Sequence, residues 1–113
     1  NTLDARAATI PVDLYGLGGA DALFASPDGG LLDGGEGDDA LTGAAGTDLV
    51  VASAGSDSVT GVQPGDILQL AADADITLTD TQLSWGANST LITGSFAEAQ
   101  LTGGPSTNVI DAS

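Results

Sequence analysis

A nine-residue register that runs for six units without a slip constrains this chain more than any other feature. The units are residues 16–24, 25–33, 34–42, 43–51, 52–60 and 61–69. Their eighth position is always apolar, reading Leu23, Leu32, Leu41, Val50, Val59 and Leu68, and their first is always small, reading Gly16, Ala25, Gly34, Gly43, Ala52 and Gly61. Asp fills the sixth position in five units, as Asp21, Asp39, Asp48, Asp57 and Asp66, and Gly30 is the exception. The third unit fits the pattern G-G-x-G-x-D-x-U-x at every specified place, through Gly34, Gly35, Gly37, Asp39 and Leu41.

A helix cannot carry this register. The units are too rich in glycine, and a period of nine matches neither 3.5 nor 3.6 residues per turn. Three-residue pieces such as Ala40-Leu41-Thr42 suit brief strands whose central residue points inward, and the six residues between them are turns. The chain has the apolar content to bury such residues: 42% of its 113 residues are hydrophobic, although only two Phe, one Trp and one Tyr are large aromatics. The core is expected to be thin, and the length allows one module.

Charge and missing residue types exclude much chemistry. Sixteen acidic residues against Arg6 alone give a formal charge of −15, with no Cys, His or Met. One cation cannot displace the counterions of a nucleic acid or hold an anionic membrane surface. Without His or Cys there is no zinc site, thiol nucleophile or Ser-His-Asp triad, and oxygen ligands remain. No apolar run approaches the eighteen or so residues that span a bilayer, so membrane insertion is not expected. No signal peptide opens the sequence, so any export signal is expected outside it.

On these residues the chain resembles the RTX family, the haemolysin-type calcium-binding nonapeptide repeats of secreted bacterial proteins. The resemblance implies an all-β fold, a right-handed parallel β-roll or β-solenoid in which eighteen residues make one coil and glycine-rich turns bind calcium. Asp21, Asp39 and Asp57 would stack on one edge, and Asp48 and Asp66 on the other. Unneutralised carboxylates about 4.8 Å apart repel, and a hard cation reverses the sign. Calcium accepts six to eight oxygens in a flexible geometry, which suits two carboxylates plus turn carbonyls better than magnesium's strict octahedron does. By the family pattern the metal residues are Asp21, Asp39, Asp48, Asp57 and Asp66, with Gly19, Gly34, Gly35, Gly37, Gly43, Gly46 and Gly55. Gly34, Gly35, Gly37, Gly43 and Gly46 are expected to take positive φ and turn their carbonyls to the ion. Gly30 lacks a carboxylate, so a site facing Asp48 there would need Asp28 or Asp33. Two or three calcium ions are expected.

One module over residues 1–113 is expected, with lead-in strands over 1–15, nonapeptide repeats over 16–69, metal-free β coils over 70–102 and a degenerate repeat over 103–113. In the third stretch Ile76, Leu78, Leu83, Leu91, Phe96 and Leu101 would fill inner faces, with turn signals at Gly86-Ala87-Asn88 and Gly94-Ser95. The degenerate repeat carries Asn108 at the sixth position. The sequence Asn1-Thr2-Leu3-Asp4-Ala5 returns as Asn108-Val109-Ile110-Asp111-Ala112, 107 residues later. The chain therefore reads as one period of a tandem array, its partners being calcium and adjacent copies of the same repeat, with no glycan or surface ligand specified. The expected role is a calcium-stabilised structural repeat of an extracellular or cell-surface bacterial protein, such as an adhesin, surface layer or filament. The alternative is the accessory repeat region of a type I-secreted enzyme or toxin. No cluster of His, Lys or Arg attends the carboxylates, so the module is not expected to be an enzyme.

Overall fold

The three-residue pieces that end each nonapeptide become strands, because an apolar residue between two polar or small ones buries one face of an extended segment. The computed structural model describes residues 1–112. In chain order the strands are β1 (Thr2–Asp4), β2 (Leu14–Tyr15), β3 (Ala22–Phe24), β4 (Gly30–Asp33), β5 (Ala40–Thr42), β6 (Asp48–Val51) and β7 (Ser56–Val62). They continue as β8 (Ile67–Ala72), β9 (Ile76–Leu78), β10 (Gln82–Trp85), β11 (Asn88–Gly94), β12 (Glu98–Gly103) and β13 (Ile110–Ala112). One sheet has the order β1-β3-β5-β7-β11-β10-β9-β13, the other β12-β8-β6-β4-β2.

The repeat register is visible in the pairing. Leu23 lies beside Leu41 and Leu41 beside Val59 in the first sheet, while Leu32 lies beside Val50 and Val50 beside Leu68 in the second. Every neighbour is eighteen residues away, so consecutive units alternate between sheets and two units make one coil. These six eighth-position residues are 0–1% exposed and form the centre of one core that also takes in Leu70, Ile76, Leu83, Trp85 and Ile92. Each buried Leu or Val contributes roughly 1.5–3 kcal/mol against its exposed state.

The expectation of a parallel β-solenoid running through the whole chain is corrected here. The parallel strands fit a β-roll, but the eight-stranded sheet is mixed: β10 runs antiparallel to both β9 and β11. The cause is connection length. Gly86 and Ala87 alone join Trp85 to its partner Asn88, and Gly86 takes a φ of +54°. A two-residue link permits only an antiparallel hairpin, since a parallel pair needs a crossover of a dozen residues or more. The second reversal is tightened by the Thr79 hydroxyl, which accepts from Gln82 N–H at 3.2 Å. Within this meander Ile76 and Leu83 are buried and Leu78, Phe96 and Leu101 half-buried, whereas Leu91, expected inside, points outward at 54% exposure. Ile92 and Thr90 take the inward positions on either side of it, as strand alternation requires.

Candidate functional site: two ladders of buried aspartates

All five sixth-position aspartates are at least nine-tenths buried, with exposures of 0–4%. Acidic side chains almost never bury this far unless something neutralises or bonds them. Here they bond to one another's backbone. Asp21 N–H donates to Asp39 Oδ1 at 2.9 Å, and Asp39 N–H donates to Asp57 Oδ1 at 3.0 Å. On the opposite edge Asp48 N–H donates to Asp66 Oδ1 at 2.8 Å. The three pairs read from the repeat, Asp21 with Asp39, Asp39 with Asp57, and Asp48 with Asp66, are thus brought together one coil apart.

The second carboxylate oxygens differ. Asp48 Oδ2 accepts from Ala44 N–H at 2.8 Å and Asp66 Oδ2 from Gln63 N–H at 2.7 Å, so each folds its own turn around itself. Asp57 Oδ2 takes the Ser53 hydroxyl at 3.3 Å. Asp21 Oδ2, Asp39 Oδ2 and Asp48 Oδ1 are buried and have no hydrogen-bond partner. Burial is the main cause that pushes the Asp57 carboxyl up to about 6, with Asp39 N–H pulling the other way and the Asp39 charge adding to the rise. Asp48 is also raised, by burial first, against the Ala44 N–H and with the charge of Asp66. The one basic side chain does not reach these groups: Arg6 bonds Asp4 bidentately, at 2.6 and 2.9 Å, and lies over the Phe24 ring, and only Asp21 meets a positive charge, the α-ammonium group of Asn1 at 2.5 Å.

The glycines serve the ladders in two ways, and only one matches expectation. Gly35 and Gly37 take φ of +90° and +130°, and Gly19 and Gly55 lie in the same region. Gly34, Gly43 and Gly46, also expected there, do not adopt positive φ. They are glycines for want of space. A Cβ on Gly34 would lie 2.7 Å from Cβ and Cγ of Asp39, one on Gly43 2.9 Å from Asp48 Oδ2, and one on Gly46 2.6 Å from the Asp28 carbonyl oxygen. At Gly16, Gly34 and Gly43 the first-position glycine therefore cradles its own unit's carboxylate.

Gly30 breaks the second ladder. It stands opposite Asp48, yet its φ of +145° turns its N–H to the Thr47 carbonyl at 3.3 Å, which leaves Asp48 Oδ1 bare. Asp33 does not substitute, since its Oδ1 accepts from Gly35 N–H at 3.1 Å. Asp28 does line the same open depression as Asp48, together with Asp13 and Thr47. Reasoning from the repeat missed three members. The backbone nitrogen of Asn1 donates to Asp21 Oδ1 and so ends the first ladder at one side. Thr90 sits beside Asp57 at the other, its hydroxyl wholly buried and unpartnered. Its distance of 33 residues from Asp57 gave no periodic signal. Asp73, outside the register, accepts from Ser106 N–H, Ser106 Oγ and Asn108 Nδ2 at 2.9–3.2 Å and so holds the degenerate repeat. These hydrogen bonds lower its pKa.

Among the described residues no group of three or more acidic side chains forms a ready metal cluster. The donor set is pairs of carboxylates within glycine turns, three of whose oxygens lack any donor. Hard oxygens of this kind suit calcium in type, with the rest of a coordination shell left to backbone carbonyls and water. The fold and site define an all-β protein of two sheets edged by buried aspartate ladders. Comparison with protein-family models, with curated proteins and with solved structures finds no match to this chain.

Proposed function

We propose that this chain is a calcium-binding structural module, its folding completed by calcium, and that it serves a secreted or cell-surface bacterial protein in the manner of the RTX repeats it resembles. The observation that carries the proposal is the set of unpartnered buried oxygens on Asp21, Asp39 and Asp48. Three such atoms in a chain with one basic side chain, itself occupied by Asp4, leave the ladders short of positive charge even with the α-ammonium group of Asn1 on Asp21. A divalent cation supplies that charge where no Lys, His or free Arg exists to do so.

Asp39 and Asp57, Asp21 and Asp39, and Asp48 and Asp66 would hold the ions, with Asp28 at the gap left by Gly30. Calcium bound there would neutralise the carboxylates, and its binding energy would add to folding energy because the pairs exist only when the coils are stacked. Sites of about 10⁻⁴ to 10⁻³ M affinity would fill outside a cell and stay empty in a cytosol. A structural role is favoured by the way the carboxylates tie coil to coil, each accepting from the backbone of the coil before it.

The test is calorimetric titration of the full chain with calcium, with magnesium as control, accompanied by far-UV circular dichroism in EDTA. Binding of calcium but not magnesium, weakened at least tenfold by Asp39→Asn, is expected. A full β spectrum in EDTA with no heat of calcium binding would overturn the proposal.

A further inference from the structure

The two ends of the chain form the two outer strands of one sheet, and they are interchangeable. β1 lies at one edge of the eight-stranded sheet and β13 at the other. Both follow an Asn in the same five-residue pattern, Asn1 before β1 and Asn108 before β13, and Asn108 is the sixth residue of the degenerate nonapeptide 103–111. The degenerate unit at 103–111 also closes as a repeat does. Asn108 Oδ1 accepts from Gly104 N–H at 2.8 Å, as Asp48 Oδ2 accepts from Ala44 N–H, and a Cβ on Gly103 would lie 2.8 Å from that oxygen.

The free edge of β13 matches, residue for residue, the edge by which β1 bonds β3. Val109 faces β9, giving its N–H to Asp75 Oδ1 at 2.8 Å and accepting from Ile76 N–H at 2.8 Å. Backbone groups of a strand alternate sides, so Asn108, Ile110 and Ala112 face away from β9. Their counterparts 107 residues earlier are Asn1, Leu3 and Ala5, which face β3. The Asn1 carbonyl accepts from Ala22 N–H at 2.8 Å, and Ala5 N–H donates to the Phe24 carbonyl at 2.9 Å. The apolar complement is equally unfilled. Ile110 holds the eighth position, where Leu23, Leu32, Leu41, Val50, Val59 and Leu68 are 0–1% exposed, yet it is 45% exposed, and Val109 is 62% exposed.

We infer that the β13 edge is the docking surface for a second copy of this chain, in which β13 occupies the place of that copy's β1. Ile110 then lies beside the second copy's Leu23, and the Asn108 carbonyl accepts from the second copy's Ala22 N–H. Asn108 N–H donates to the second copy's Asp21 and extends the first aspartate ladder across the junction. One strand is shared, so tandem copies with a period of 107 residues form one continuous sheet without a linker. The inference rests on strand register and is independent of metal binding.

The test joins residues 1–107 directly to a full copy of residues 1–113 and compares it with the single chain in the same buffer, with calcium and with EDTA. In any buffer where the single chain is folded, the two-copy protein is expected to unfold in one transition above the single-chain temperature. Backbone amides of the junction strand are expected to exchange at least about tenfold more slowly than those of 108–112 in the single chain. A companion with a flexible Gly/Ser insert after residue 107 should lose both effects. A two-copy protein that melts at the single-chain temperature, with junction amides as fast as in the single chain, would overturn the inference whatever the outcome for calcium.

Discussion

Replacing Gly34 with Ala separates two reasons for a glycine in these turns. Gly34 does not occupy the left-handed region, so its backbone accepts an L-residue, and the entropy of the unfolded chain would by itself favour Ala by about 0.4–1 kcal/mol. The new Cβ, however, would sit 2.7 Å from both Cβ and Cγ of Asp39. Asp39 cannot retreat freely, because its Oδ1 holds Asp21 N–H at 2.9 Å and its own N–H is held by Asp57. Overpacking of this kind costs roughly 1–3 kcal/mol, and if Asp39 yields, the stranded Asp21 N–H costs about 1–3 kcal/mol instead. Set against that entropic gain, the expected net loss is about 0.5–2 kcal/mol, a fall of roughly 2–8 °C in Tm for a chain of this size. Gly65→Ala is the internal reference: Gly65 has no positive φ and a Cβ there meets nothing within 4 Å, so no loss is expected. Thermal and urea unfolding followed by circular dichroism measures both. Equal stability of Gly34→Ala and the parent, or an equal fall in Gly65→Ala, would refute the cradle.

Other expectations follow from the same ladders. The raised pKa of Asp57, about 6 against an ordinary 3.8, means the folded state binds that proton more tightly than the unfolded state does. Stability from this group is full below the ordinary value and is lost as pH rises through about 6, so in EDTA the urea midpoint should be higher near pH 4.5 than near pH 7.5. In saturating calcium the order should invert, because protons and cation compete for the same oxygens. Asp39→Asn keeps an Oδ1 acceptor for Asp21 N–H and removes one buried charge. It should therefore leave stability in EDTA equal or higher while weakening calcium binding, as paired unfolding curves and calorimetry would show. Thr90→Val removes a fully buried hydroxyl without a partner at constant shape and should raise stability by about 1 kcal/mol in urea unfolding. Leu41→Ala, at the centre of the core and 1% exposed, should cost about 2–5 kcal/mol by the same assay.

The part of the fold written by periodicity was legible, and the part written by connection length was not. From Gly16 to Gln69 a single period assigns each residue to a turn, a rung or the core. Leu23, Val50 and Asp39 could therefore be placed from position alone, and their neighbours eighteen residues away followed. Beyond Gln69 the period stops. Alternation around Ile76 and Leu91 still marked strands, but it is the same in parallel and antiparallel sheets, so it could not reveal that β10 reverses. The brevity of Gly86-Ala87 carries that information, since two residues cannot make a crossover between parallel strands. Within Thr90-Leu91-Ile92 alternation allows either face inward, and the register with β7, which sets Thr90 beside buried Asp57 and Ile92 beside buried Val59, turns Leu91 outward. At the ladders the residue types and spacing marked the carboxylates, whereas the division of labour among the glycines rests on atomic contacts that a motif does not encode. Gly34 and Gly35 look alike in the pattern, and neither has room for a side chain, yet only Gly35 also needs a left-handed backbone angle.

Every rung points the same way. The carboxylate always belongs to the later coil and the amide it receives to the earlier one, as in Asp57 holding Asp39 and Asp39 holding Asp21. Losing coils from the front frees only an acid group, which water solvates readily, whereas losing coils from the back strands an amide inside a turn that is otherwise complete. Each coil is therefore finished by its successor. A chain made from its N-terminus must run one coil ahead of the last one it can close, and the stack has a built-in leading end at which growth is always owed one more carboxylate.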